Sequence, residues 1–311
     1  MKNNIYIKVK DHSVSGEEFE LIQNPEYGFL ETIPQPDSDK LPDYYKSEDY
    51  ISHTDSKRNL FEKAYHFIKS ISLKKKLKLI NSFDSKEKNL LDIGCGTGDF
   101  LKTAKQNNWK VSGIEPNEQA RAIANNKTDN SVFEIEQLLK FEEDCFDVIT
   151  LWHVLEHLPK LEDHIAIFKR LLKPNGTLII AVPNYKSYDA AYYKSYWAAY
   201  DVPRHLWHFS KDSISKLMFK EQMSVQKIKP MPFDAFYVSL LSEKYKSGKM
   251  NFIKGFWIGL ISNFKFGAFS WALNSAAIIP LITIPKTTLT PAPPTALNVI
   301  RLNILFLPFL L

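Results

Sequence analysis

Two groups of residues in this 311-residue chain have the types and spacing to do chemistry. The first is Asp92-Ile93-Gly94-Cys95-Gly96-Thr97-Gly98, where an apolar run ends in an acid and breaks into alternating glycines. Glycine has no Cβ, so such a turn can approach a ligand closely. At the carboxyl end of a parallel strand, it opens the crevice where α/β sheets bind ligands. The run Val111 to Ile114 then delivers Glu115, 23 residues after Asp92. A carboxylate there can accept hydrogen bonds from both hydroxyls of a ribose. The second group is Trp152-His153-Val154-Leu155-Glu156-His157, followed much later by Arg204-His205-Leu206-Trp207-His208. Histidine titrates near neutral pH and can take a proton from an attacking hydroxyl, which makes His157 and His205 the candidate bases. The H-x-x-E-H spacing also occurs in zinc peptidases, where a helix presents both histidines on one face. Here the segment follows a strand, and peptidase context is missing.

The elements that must position these groups follow a βαβ rhythm. Strands are expected at 89–93, 110–114, 146–151 and 177–182, with a weaker one at 132–135. Helices are expected near 97–107, 117–125 and 160–172. Leu171-Leu172-Lys173-Pro174-Asn175-Gly176 ends the last of these and turns the chain into the next strand. Upstream, 57–79 reads as an amphipathic helix with Leu60, Tyr65, Phe67, Ile68, Ile71 and Leu77 inward and Lys74, Lys75, Lys76 and Lys78 on its wet side. Downstream, an aromatic insertion at 185–209 precedes a helix-strand-strand pattern running from 211 to about 241. Its rings could wall an acceptor pocket, with Tyr196, Trp197 and Arg204 as the substrate-binding candidates.

The glycine spacing selects the nucleoside. A dinucleotide fingerprint needs G-x-G-x-x-G, and here the third glycine comes one residue early, with Asp99 in its place. The order Leu91 to Gly98, Gly113-Ile114-Glu115-Pro116, Phe146-Asp147-Val148-Ile149 and Leu172 to Leu178 resembles the successive motifs of class I methyltransferases. That resemblance implies an α/β, Rossmann-like seven-stranded sheet with helices on both faces and one antiparallel strand at its end. It implies S-adenosylmethionine as cofactor, with Gly94, Cys95 and Gly96 bordering its methionine part and Asp92 supporting the loop and amino group. Glu115, followed by Pro116, would hold the ribose. Glu136 and Gln137 would approach the adenine, and Trp152 and His153 would flank the methionine arm. The 152–157 segment is similar to the E-x-x-E-H stretch of ubiquinone-biosynthesis O-methyltransferases, where a later histidine completes a divalent-metal or catalytic site. Glu156 and His157 match it, but His153 stands where the first Glu would be. Magnesium prefers oxygen ligands, so the metal stays open.

Both ends depart from that pattern. Residues 1–50 read as a turn-rich extension broken by Pro25, Pro34, Pro36 and Pro42, in which Asn24-Pro25-Glu26-Tyr27-Gly28-Phe29 resembles a zinc knuckle without its two cysteines. The catalytic domain is expected over 51–245, so that the sheet closes before Gly248. Residues 246–311 are expected to form an apolar tail, in which Phe266 to Pro285 carries no charge over twenty residues and is long enough to span a bilayer core. Composition (44% hydrophobic, 24% charged) excludes a disordered or low-complexity chain. Cys95 and Cys145 are unpaired in spacing, and no secretory signal opens the chain, so a cytoplasmic location is expected, peripheral at or anchored to the membrane's inner face if the tail binds there. Charge is split, with 21 Lys/Arg against 26 Asp/Glu in residues 1–150 and 19 against 9 thereafter. A small-molecule or lipid-linked acceptor, methylated on oxygen, fits these features better than nucleic acid. The alternative is a module that binds the cofactor without turnover and is tethered to a membrane.

Overall fold

The computed structural model describes residues 5–37, 39–45, 61–263 and 276–284. The N-terminal residues are more than an extension. Strands β1 (Ile5–Lys10), β2 (Glu18–Gln23) and β3 (Leu30–Ile33) form an antiparallel sheet, closed on β3 by the short strand Trp207–His208, β9 in chain order. Phe19, Leu21 and Leu30 are buried against Tyr185, Tyr193, Trp197 and Tyr200 of the aromatic insertion. The knuckle-like turn closes without metal. Asn24 Oδ1 accepts from the backbone N–H groups of Glu26 and Tyr27, each at 2.9 Å. The Tyr27 ring stacks on Phe29, with centroids 5.3 Å apart. An asparagine-centred turn thus does the holding that thiolates and zinc would do elsewhere.

The second sheet is the frame for the chemistry. It contains β4 (Asn89–Ile93), β5 (Lys110–Ile114), β6 (Val132–Phe133), β7 (Phe146–Trp152), β8 (Leu172–Pro183), β10 (Ser224–Pro230) and β11 (Ala277–Thr283). Their order is β10-β11-β8-β7-β4-β5-β6. Pairings from β8 to β6 are parallel, and β11 is antiparallel to both β8 and β10. The antiparallel strand therefore lies one in from the edge, not at it. Side chains alternate between faces with period two. Leu91, Ile149, Leu178 and Ile180 join the cluster under α4 (Leu161–Leu171) and α6 (Lys211–Lys220). Leu90, Val148 and Ile179 join a separate cluster under α1 (Phe61–Ile80), α2 (Asp99–Lys105) and α3 (Glu118–Thr128). Helices thus cover both faces, as a sheet buried on both sides requires.

Two expectations change, and a third lies partly outside the described residues. The start of the 57–79 helix, including Leu60, lies outside the described residues, and Phe67 is exposed where an inward ring was expected. After β10, the chain forms α7 (Pro232–Ser247) where a second strand was expected. Proline opens that helix, Ala235, Val238, Ser239 and Ser242 recur on one buried face, and Gly248 caps it at φ 73°. Helix α8 (Phe252–Asn263) follows; α5, before both, is the short helix Tyr188–Tyr193.

The expected tail holds the seventh strand. Ile278 and Ile282 of β11 are fully buried on one face. Of the uncharged run, 276–284 belongs to or borders this strand, and 266–275 and 285 lie outside the described residues. Among the described residues, no helix is long and apolar enough to cross a membrane. The domain boundary near 245 therefore cuts the sheet. A chain shortened to end at Gly248 should lose about 1.5 to 3 kcal/mol for each of these two isoleucines and leave β8 paired on its β7 side alone. Urea unfolding of the shortened and full chains checks this. An unchanged midpoint would contradict it.

Candidate functional site

The glycine turn sits at the carboxyl end of β4. Gly94 and Gly96 adopt φ of 67° and 53°, values that suit glycine. Gly98, at φ 75°, has a second constraint: a Cβ there would lie 2.8 Å from that of Ala124 in α3. The backbone N–H groups of Gly94 and Cys95 donate to Ile114 O, at 2.7 and 3.1 Å, and lock the turn onto β5. Glu115, fully buried beyond the end of β5, accepts from Gly96 N at 2.8 Å through Oε2 and from Asn117 N at 2.9 Å through Oε1. Burial pushes its carboxyl up to about 7 against the pull of those two bonds. Asp92 is similarly buried and pushed up to about 7, with Thr150 Oγ1 donating to Oδ1 at 2.6 Å. Among the described residues outside its chain neighbours, nothing lies within 4 Å of where a Cβ on Gly96 would be, so the turn is open on that side.

The remaining residues expected near a cofactor lie on neighbouring elements. Pro116 follows Glu115, and the carbonyls of both accept from Arg121 Nη1. Glu136 and Gln137 are half-buried in the 3-10 turn Ile135–Leu139, just past β6. Trp152 ends β7, its ring edge-on to Phe100 with centroids 5.8 Å apart. Lys76, expected on the wet side of its helix, instead places Nζ 4.5 Å from the centroid of the Trp152 ring. Burial lowers its ammonium to about 8, although Asp92 and Asp234 favour the charge. Its spacing was the available signal: Lys76 falls three residues after Leu73 and four before Ile80, on the apolar face.

Across β7 lie the histidines. His153 has φ 58°, and its backbone N–H donates to Ala181 O. Its ring bridges Asp234 Oδ2 at 2.8 Å and Glu156 Oε1 at 3.3 Å. Burial opposes a charged ring, but its hydrogen bonds to the two carboxylates outweigh that and raise it to about 9. Both nitrogens therefore donate. Asp234, on the first turn of α7, was not anticipated, because 81 residues separate it from His153. Residues Leu155–His157 form one 3-10 turn, so the two histidines of H-x-x-E-H part company, and His157 packs edge-on to His205 with centroids 4.6 Å apart. His157 Nδ1 is 3.0 Å from Arg204 O, and His205 Nδ1 is 3.0 Å from Ala199 O. A ring that donates from Nδ1 to a carbonyl keeps its lone pair on Nε2 when neutral. Burial lowers each of the two rings to about 4. Glu156, His157 and His205 each offer a ligand atom within 4.8 Å of the others, and all three are buried.

The expected substrate contacts mostly turn inward. Trp197 is 1% exposed, and its Nε1 donates to Asp189 Oδ2 at 2.6 Å. Tyr196 remains exposed, beside the His12 ring. Arg204 is 3% exposed: its guanidinium donates to both Asp201 oxygens, to Asp11 Oδ1, to Ser13 Oγ and to Tyr44 O. An anion clamp needs donors facing a pocket, and these are committed to the protein. The insertion is thus mostly core, because rings this large are more stable packed together than facing water. Removing the guanidinium would leave Asp11 and Asp201 buried and uncompensated. Arg204→Ala should therefore cost about 3 to 5 kcal/mol of folding stability. Urea titration measures it, and a loss below about 1 kcal/mol would contradict the burial argument.

Comparison with known proteins fits this geometry. Residues 57–225, more than half of the chain, match the family described as methyltransferase domain. A 113-residue stretch is 31% identical to the ubiquinone biosynthesis O-methyltransferase of Pasteurella multocida, covering 31% of this chain and 47% of that protein. The corresponding protein of Coxiella burnetii is 28% identical over 134 residues, covering 40% and 56%. The chain spans about half the length of the curated relatives it matches. A crystal structure of a SAM-dependent methyltransferase from Archaeoglobus fulgidus superposes with a TM-score of 0.47 at 18% identity, covering 70% of this chain and 93% of that one. The family match carries the glycine turn, Glu115, His157 and His205 within its span, and the chain belongs to the methyltransferase domain family.

Proposed function

We propose that this enzyme transfers the methyl group of S-adenosylmethionine to an oxygen of a small-molecule or lipid-linked acceptor. The observation that carries the reading is the buried Glu115 carboxylate beneath the open face of Gly96. Each carboxylate oxygen already accepts one backbone N–H and has a second lone pair for a ribose hydroxyl. In this reading Gly94, Cys95 and Gly96 border the methionine part, with Asp92 supporting the loop and the amino group. Pro116, Glu136 and Gln137 stand toward the nucleoside, and Trp152 and His153 flank the methionine arm. When bound, the cofactor supplies an electrophilic methyl group on a sulfonium.

The chain's own residues handle the acceptor and its proton. An attacking hydroxyl becomes strongly acidic as its oxygen bonds to carbon, so even a weak base suffices late in the transfer. His157 and His205, kept neutral by burial, fit that task. A second reading rests on their arrangement with Glu156: one carboxylate and two neutral imidazoles suit a transition-metal ion such as zinc or manganese better than magnesium. A lipid-linked acceptor is supported by α8, where Phe252, Ile253, Phe256 and Trp257 are exposed beside Lys249 and Lys254. Apolar side chains ringed by lysines suit the surface of an anionic bilayer.

Three measurements test the assignment. Glu115→Ala should weaken binding of S-adenosylhomocysteine by about 1.5 to 3 kcal/mol, the worth of hydrogen bonds to a charged group; calorimetry giving equal affinities would remove Glu115 from the site. His205→Ala should lower turnover by about 10² to 10⁴ while cofactor affinity stays within about twofold. Equal turnover in this variant would exclude His205 as the base. Wild-type turnover that survives a chelator favours the base, and a loss restored by zinc or manganese favours the metal.

A further inference from the structure

Beside the histidine cluster, a narrow cleft opens between the carboxyl ends of β7 and β8 and helix α7. Its interior has room for about one water-sized group, and it widens only toward its open mouth. Pro183, Ala199, Val238 and Ala277 give it apolar walls, and its charged side chains are His153 and Asp234. Asp234 is 7% exposed, and its Oδ2 is taken by His153 Nε2 at 2.8 Å. Its Oδ1 is buried and has no hydrogen-bond partner among the described residues. Leaving a buried carboxylate oxygen unpaired is costly, so such an atom in a cleft marks a place for a donor. The cleft also adjoins the reaction centre: Ala199 lines it and supplies the carbonyl that holds His205 Nδ1. Lys76, under Trp152, is close enough for its charge to feel both Asp92 below the glycine turn and Asp234.

We propose that this cleft takes the reacting end of the acceptor, and that Asp234 Oδ1 anchors it by accepting a hydrogen bond from a hydroxyl on an otherwise apolar group. The inference rests on the methyltransferase reading and deepens it. Little of a ligand fits inside, so the cleft selects the end that enters and leaves the rest of the acceptor outside. His153 is a positioning residue. By donating to Oδ2 and, through Nδ1, to Glu156, it leaves Oδ1 as the carboxylate oxygen available to a donor. An asparagine at 234 would turn its amide oxygen to His153 and offer an N–H₂ group to the acceptor, a donor where an acceptor of hydrogen bonds is needed.

The test uses the full chain saturated with S-adenosylhomocysteine, whose affinity is measured first, and titrates phenol and its methyl ether anisole by NMR. Phenol should bind saturably and at least tenfold more tightly than anisole. Asp234→Asn should bring the two within about twofold while S-adenosylhomocysteine affinity is unchanged. Val238→Trp, which fills the cleft and keeps the carboxylate in the chain, should abolish both. Wild type that binds S-adenosylhomocysteine but shows no preference for phenol, or no saturable binding of it, overturns this inference alone. A preference that survives Asp234→Asn overturns it as well. Failure to bind S-adenosylhomocysteine would instead count against the cofactor site.

Discussion

One buried carboxylate organises the glycine turn. Glu115 has no exposed surface, and its two oxygens reach opposite ways, to Gly96 N in the turn after β4 and to Asn117 N at the start of α3. Burial alone would drive the carboxyl toward its neutral form, and the two backbone donors work against that. The turn can offer Gly96 N only because its glycines accept left-handed φ, and α3 can start there only because Gly98 lets Ala124 come close. Carboxylate, turn and helix are therefore one unit. The same geometry leaves the outer face of the turn clear for a nucleoside.

A second buried ion cluster does comparable work for the histidines. Arg204 ties Asp11 of the N-terminal segment and the Tyr44 carbonyl to Asp201 in the insertion. Its own carbonyl receives His157 Nδ1, and the neighbouring residue is His205. The N-terminal sheet and the aromatic insertion thus pack together, with β9 against the Leu155–His157 turn. Their contribution is to seal Glu156, His157 and His205 from water and set which nitrogen of each ring carries its lone pair.

Much of this was legible in the chain. The parallel strands fall within a residue or two of their expected places, except for the short β6 and the longer β8, because buried parallel strands read as uninterrupted apolar runs ended by glycine or proline. Glu115 and the glycines were legible because their roles are local. The failures have physical causes. Prolines at 25, 34 and 36 mask strands whose burial depends on an insertion more than 150 residues later. An uncharged run reads the same whether it becomes a buried strand or spans a lipid core, so β11 reads as tail in the sequence. Lys76, Asp234 and the partners of Arg204 are set by long-range packing. Residue type alone suggested an anion clamp at Arg204, and only the fold shows its donors facing Asp11 and Asp201.

The central claim is that the Gly94–Gly98 turn and Glu115 form a site for S-adenosylmethionine and not for a dinucleotide. Calorimetric titration of the full chain with S-adenosylmethionine, S-adenosylhomocysteine and NAD tests it most directly. The account predicts saturable one-to-one binding of the first two, at least a hundredfold tighter than NAD, about 2.7 kcal/mol at room temperature. NAD binding as tight as S-adenosylmethionine, or no saturable binding of either sulfur compound, would contradict it.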